Sequence, residues 1–216
     1  LLAHGQGPRA VAALWDLVGI ATLNASAGQA SLALAATVFQ EGLLTDAAAG
    51  DIGWARVPLG RLHDEAARAA LREAGVRVRT GTRVRAISTD AGGWRVTPAG
   101  PAGSVPDREE SITVDRIVCA VPPGAAEALL PPGALDLPPG WAERLGSSPI
   151  VNVHVVYDRR VLDTPFAAAV GSPVQWVFDR TGSSGAARVH PAGAQYLAVS
   201  LSAADDLVGL PVARLR

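Results

Sequence analysis

A mixed α/β protein in two parts is the fold class this sequence predicts, and three observations predict it. Residues 9–23 and 29–44 are apolar runs of helical length. Residues 58–121 read as a helix, then alternating strands, then an unbroken apolar strand. Three further runs between 150 and 202 alternate apolar and polar residues and are separated by Gly, Ser and Pro. The 216 residues, 49% hydrophobic and 18% charged, suffice for one large domain or two small ones.

The elements follow in order. "RAVAALWDLVGIATL" (9–23) and "QASLALAATVFQEGLL" (29–44) are apolar on nearly every face, which predicts two buried helices. Between them "NASAG" supplies turn chemistry, with Asn24 or Ser26 able to cap the second helix. A Gly- and Asp-rich loop leads to Pro58. From there "PLGRLHDEAARAALREAG" sets Leu59, Leu62, Ala66, Ala70 and Ala74 on one stripe against Asp64, Arg68 and Arg72, and stops at Gly75. "VRVRTGTRVRAIS" and "GGWRVTP" alternate as strands with one apolar face. After the polar loop "AGPAGSVPDREES", the run Ile117–Val121 has no polar residue, as expected of a strand covered on both faces. It ends abruptly at Pro122 and Pro123, which cannot donate to a sheet ladder. "IVNVHVVYD", "VQWVFD" and "QYLAVSLS" predict an antiparallel sheet, and Ser202 with Asp205 resembles the capping box of a closing helix.

Composition excludes several function classes. Net charge is −1 with a pI near 6.5, and the 19 basic residues are all arginine, scattered along the chain without a patch to neutralise phosphates. Nucleic acid is therefore not an expected partner. One cysteine, Cys119, gives neither a disulfide framework nor a Cys-rich metal site, and fits a reducing cytoplasm. His4, His63, His154 and His190 lie apart with no second ligand at metal spacing, so no metal is expected. "GSSG" at 182–185 lacks the strand-to-helix context of a reactive serine and reads as a flexible loop. Asp205 and Asp206 are explained by a helix start. No apolar run reaches membrane-spanning length, and no GxGxxG loop is present. The chain opens at Leu1 and closes in a running helical pattern, which reads as an internal piece of a longer protein.

The order "PLGRLHDEAARAALREAGVRVRTGTRVRAI", a short meander, then "DRIVCAVPPGAAEALLP" resembles the middle of the flavin amine oxidase and phytoene desaturase superfamily. There the glycine fingerprint lies upstream of this window and a second flavin motif downstream. "WDLVGIATLNASAGQAS", "SPIVNVHVVYDRRV", "FAAAVGSPVQWVFDRTG" and "QYLAVSLSAAD" are similar, more narrowly, to the bacterial hydroxysqualene dehydroxylases, the squalene-associated FAD-dependent desaturases of hopanoid biosynthesis.

The resemblance implies a partial Rossmann-like FAD-binding domain at residues 56–124, set between a helical part (1–55) and a sheet part (125–216) of a substrate domain. It implies FAD as cofactor, with Ala120, Val121 and Pro122 beside the isoalloxazine ring and the main chain of Val84 at the adenine edge. The implied reaction is reductive removal of the hydroxyl of hydroxysqualene, in which a reduced flavin delivers hydride and the protein holds a hydrophobic isoprenoid in an apolar tunnel. Leu23, Tyr157, Phe166, Trp176 and Phe178 are the residues expected to line that tunnel. The implied location is cytoplasmic, with peripheral contact at the inner membrane face. Two alternatives stand beside this reading: a carotenoid or phytoene desaturase-like or amine oxidase-like flavoenzyme, and a non-catalytic isoprenoid-binding piece.

Overall fold

The computed structural model describes residues 1–99, 111–186 and 190–215. In chain order the helices are α1 (Pro8–Ala10), α2 (Asp16–Leu23), α3 (Leu32–Gly42), α4 (Ala66–Glu73), α5 (Pro123–Leu129), α6 (Trp141–Arg144), α7 (Thr181–Ser184) and α8 (Val212–Leu215). The strands are β1 (Val84–Asp90), β2 (Gly93–Pro98), β3 (Ile112–Val114), β4 (Val151–Tyr157), β5 (Phe166–Ala168), β6 (Trp176–Asp179) and β7 (Gln195–Leu201). A π turn, Val11–Trp15, joins α1 to α2, and a second, Arg61–Glu65, leads into α4. Two compact units result: Leu1–Ala70 with Ser148–Arg216, and Leu71–Ser147. Helices and antiparallel sheets together give the mixed class that the residue patterns predict.

The first unit holds a four-stranded antiparallel sheet in the order β4-β7-β6-β5. Alternation sorts its side chains. Trp176 pairs with Ser200, Phe178 with Ala198 and Phe166 with Phe178, so these rings share one face with His154 and Tyr196. Gln195, Leu197 and Leu201, at 2%, 6% and 7% exposure, occupy the other. Gln195 saturates its amide there: its oxygen accepts from Val161 N (2.8 Å) and Leu162 N (2.9 Å), and its nitrogen donates to Leu162 O (2.7 Å) and Asp179 Oδ2 (2.8 Å).

Burial pushes the Asp179 carboxyl up, but hydrogen bonds from Thr181 and Gln195, with Arg160 nearby, outweigh it and hold the group below its ordinary value. Its stabilising contribution is therefore complete above the unfolded pKa of about 3.9 and disappears as pH falls through the lower folded value. Asp179→Asn should be less stable than wild type near neutrality, and the two unfolding midpoints should converge below about pH 4. Parallel midpoint curves down to pH 2 would contradict this account.

A polar staple closes the helical end of the same unit. Asn24, left-handed at φ 53°, ends α2, and its side chain donates to Ser148 O (2.7 Å) and accepts from Ala203 N. The Ser148 hydroxyl donates back to Asn24 O (2.6 Å). Asparagine tolerates this backbone region better than residues with an unbonded side chain. Asn24→Ala should cost about 3 kcal/mol, the sum of backbone strain and two lost hydrogen bonds. Asn24→Gly should recover the backbone share alone, and urea unfolding of both variants measures the split.

In the second unit β1, β2 and β3 form an antiparallel meander, and Ile87 and Ala126 are buried at 8% and 7% exposure. Gly93 is required at the β2 start, because a Cβ there would lie 2.7 Å from Val114 O. The Glu127 carboxylate on α5 accepts from Gly140 N and Ala142 N and caps α6. The amphipathic helix after Pro58 stops as its sequence predicts, with Gly75 at φ 69° and Val76 N bonded to Leu71 O.

Several expectations are corrected. Residues 9–23 and 29–44 are helical but hold no buried residue, because small side chains leave open space between them. The second of these helices starts at Leu32, and its cap is Ser31, whose hydroxyl accepts from Leu34 N, while Ser26–Ala30 close a turn of their own.

Ile117–Val121 is not a covered strand. It pairs with no described strand, and Val118 is 93% exposed. Val76–Thr80 likewise forms no strand with the described residues. No helix begins at Ser202: the Gln175 side chain holds Ser202 N and O, and turns run from Asp205 to Gly209 before α8. Residues 181–184 form one helical turn instead of a loop. Residues 100–110 of the polar loop after β2 lie outside the described residues. Among the described residues no helix is long and apolar enough to cross a membrane.

Candidate functional site

The first unit contains an apolar cavity of about 930 Å³, at the upper end of the range for small-molecule sites. Its walls come from α1, the π turn Val11–Trp15, α2 and α3. Gly19, Ala12, Ala35 and Ala36 create the space by lacking bulk, and Val11, Leu23, Leu32 and Phe39 supply greasy contact. Trp15 meets Phe39 edge to face at 4.7 Å between centroids, and its indole nitrogen donates to Gln6 Oε1 (3.0 Å). That bond satisfies the indole and leaves the ring as an apolar surface. A π turn widens the helix locally, and such turns occur often at functional sites.

The cavity is almost without charge. Asp16 is the single charged side chain among the lining residues, and Gln40 is a neutral polar one. Asp16 Oδ1 accepts from Ala27 N (2.7 Å), which ties the loop after α2 back to the helix start. Asp16 Oδ2 has no donor among the described residues.

A second apolar surface lies on the ring-bearing face of the four-stranded sheet. Phe166, Trp176 and Phe178 stand 6.2–6.3 Å apart between centroids, and Trp54, 41% exposed, meets Phe166 edge to face at 5.7 Å. Trp176 Nε1 is buried and has no hydrogen-bond partner among the described residues. On the same face the Tyr196 hydroxyl and His154 Nδ1 are 2.8 Å apart.

The expected tunnel residues thus separate into three places. Phe166, Trp176 and Phe178 come together on the sheet; Leu23 lines the helical cavity; Tyr157, opposite Gln195, lies on the other sheet face. Sequence reasoning missed Trp15, Asp16, Gly19 and Phe39. Their signal was the Gly and Ala residues spaced along two otherwise apolar helices, which mark helix faces too small to pack.

In the second unit, Val84 opens β1 and lines a smaller recess of about 460 Å³ with Arg77, Arg79, Thr82, Val96, Pro98 and Ile112. Neither Arg77 nor Arg79 forms an ion pair with a described residue. Ala120, Val121 and Pro122 are exposed, with Val121 at 41%, and run directly into α5, where Pro123 takes the first helical position. Pro122 O accepts from Ala126 N (3.0 Å), so the double proline marks a helix start here.

The family model described as flavin containing amine oxidoreductase matches residues 5–211 of the chain. No curated protein matches it.

Proposed function

We propose that this chain, which belongs to the flavin-containing amine oxidoreductase family, acts on a squalene-type isoprenoid and removes its hydroxyl reductively. The family is one of FAD-dependent oxidoreductases. The cavity of about 930 Å³, apolar but for one carboxylate, carries the substrate half of the reading. Each buried methylene contributes roughly 0.8 kcal/mol, so a long hydrocarbon needs only such walls. The helices that border the cavity leave Leu14, Leu32 and Leu34 52%, 79% and 59% exposed, which supports peripheral contact with the membrane where such a substrate dissolves.

The residues of the second unit suit a flavin dinucleotide. Val84, Val96, Pro98 and Ile112 give the recess an apolar floor for a flat heterocycle, and two guanidiniums without an ion-pair partner among the described residues suit the phosphates beside it. Val84 would meet the adenine end, and Ala120, Val121 and Pro122 the isoalloxazine end. On this reading the flavin-binding part falls within Leu71–Ser147 and the substrate part within the other unit.

A bound, reduced FAD would supply hydride for a new C–H bond as the allylic C–O bond breaks, the oxygen and a proton leaving as water. The chain's own residues would hold the hydrocarbon against apolar walls. The test uses the protein carrying FAD, reduced anaerobically with dithionite and given hydroxysqualene. Squalene in the extract, with return of the oxidised flavin spectrum, is the expected result. Unchanged substrate overturns the assignment, and conversion of phytoene to a longer polyene by the oxidised protein would transfer it to the desaturases.

A further inference from the structure

We propose that Asp16 is a specificity residue, which makes the helical cavity select isoprenoid alcohols over the corresponding hydrocarbons. The inference deepens the isoprenoid reading and rests on it. The observations are three. Asp16 is the single charged side chain among the described lining residues, with Gln40 a neutral polar one. One carboxylate oxygen is engaged by Ala27 N at 2.7 Å, which fixes the group in place, while the other has no donor among the described residues. The polar atoms nearest in sequence are already committed, since the Trp15 indole is bonded to Gln6. The free oxygen, partly open to solvent, can accept from a ligand's donor in place of water, and an acceptor-only ligand offers it nothing.

The ligand class follows from that chemistry. The walls take a long hydrocarbon, and Asp16 Oδ2 takes the O–H of one hydroxyl on it. Among the described residues no basic side chain lines the cavity, so a carboxylate or diphosphate at the chain end meets no guanidinium there. A hydrogen bond to a charged acceptor sets the size of the expected preference at about tenfold in Kd. The role proposed for Asp16 is to orient the ligand through its hydroxyl.

Asp16→Asn tests this with little structural disturbance, because the amide oxygen can still accept from Ala27 N. Equilibrium partition of labelled squalene and hydroxysqualene onto the FAD-loaded protein gives the two Kd values without turnover. Wild type should bind hydroxysqualene about tenfold tighter than squalene. In Asp16→Asn that ratio should fall to about two or three, with squalene binding unchanged.

The methyl ether of hydroxysqualene, which keeps the oxygen but lacks the donor, should bind wild type no better than squalene, and this arm needs no variant. A ratio that survives in Asp16→Asn, or an ether that binds as well as the alcohol, overturns the role of Asp16 while leaving the isoprenoid reading intact. Failure of wild type to bind either isoprenoid overturns both. A long-chain primary ammonium that binds tighter than the alcohol, and loses this advantage in Asp16→Asn, would reassign the carboxylate to a cation.

Discussion

Gly19→Phe is expected to weaken binding of a squalene-type ligand by about 100- to 1,000-fold without unfolding the protein. Gly19 lies in α2 and lines the helical cavity, and a Cβ built there meets no heavy atom within 4 Å. The phenyl ring therefore enters open space and displaces roughly one five-carbon unit of the ligand, about 4 kcal/mol at 0.8 kcal/mol per methylene. Glycine within a helix also costs roughly 0.5–1 kcal/mol relative to alanine, so the replacement should leave thermal stability level or slightly raised. Partition measurements with squalene, beside a thermal melt, decide the matter. Undiminished affinity in a folded variant would mean that the hydrocarbon binds elsewhere, with the aromatic sheet face of Phe166, Trp176 and Phe178 the next surface to probe.

The largest stability effect is expected at Gln195. Its four hydrogen bonds, at 2.7–2.9 Å, satisfy two backbone amides, one carbonyl and the Asp179 carboxylate at 2% residual exposure. Gln195→Leu has similar bulk and makes none of them. An unmade hydrogen bond to a buried group costs about 1–3 kcal/mol, and some relaxation is available where Val161 and Leu162 lie in a loop, so the loss should be about 3–5 kcal/mol. Gln195→Glu should also be destabilised, because a carboxylate cannot donate to Leu162 O and lies against Asp179. Its deficit should shrink in acid, where protonation restores a donor. Urea midpoints at two pH values check both variants, and a Gln195→Leu protein within 1 kcal/mol of wild type would show that loop 161–162 finds other partners.

What could be read from the sequence was what local periodicity determines. β4, β6 and β7 alternate with a period of two, and they formed where the pattern placed them. The same period put Trp176 and Phe178 on one face. It could not say that Tyr157 would face away from Phe178, because that depends on the register of β4 against β7 and of β6 against β7, a long-range property.

Ile117–Val121 failed for a related reason. An apolar run states that a segment can be covered, and a strand also needs a partner's backbone, which no described residue supplies. The Ser202 box failed because Gln175, distant in sequence, held the serine's backbone first. The cavity was the least legible feature. It is made of what Gly19, Ala35 and Ala36 lack, and an absent side chain shows its effect only once two helices have been set side by side.

The open, greasy interior between α2 and α3 also sets how temperature governs occupancy. Burying a hydrocarbon against its apolar walls lowers the heat capacity of the system. Affinity for the apolar part of a ligand should accordingly weaken on cooling. The hydroxyl's bond to Asp16 is enthalpically favoured and carries a heat-capacity change of the opposite sign, so discrimination between alcohol and hydrocarbon should sharpen in the cold even as both bind less tightly.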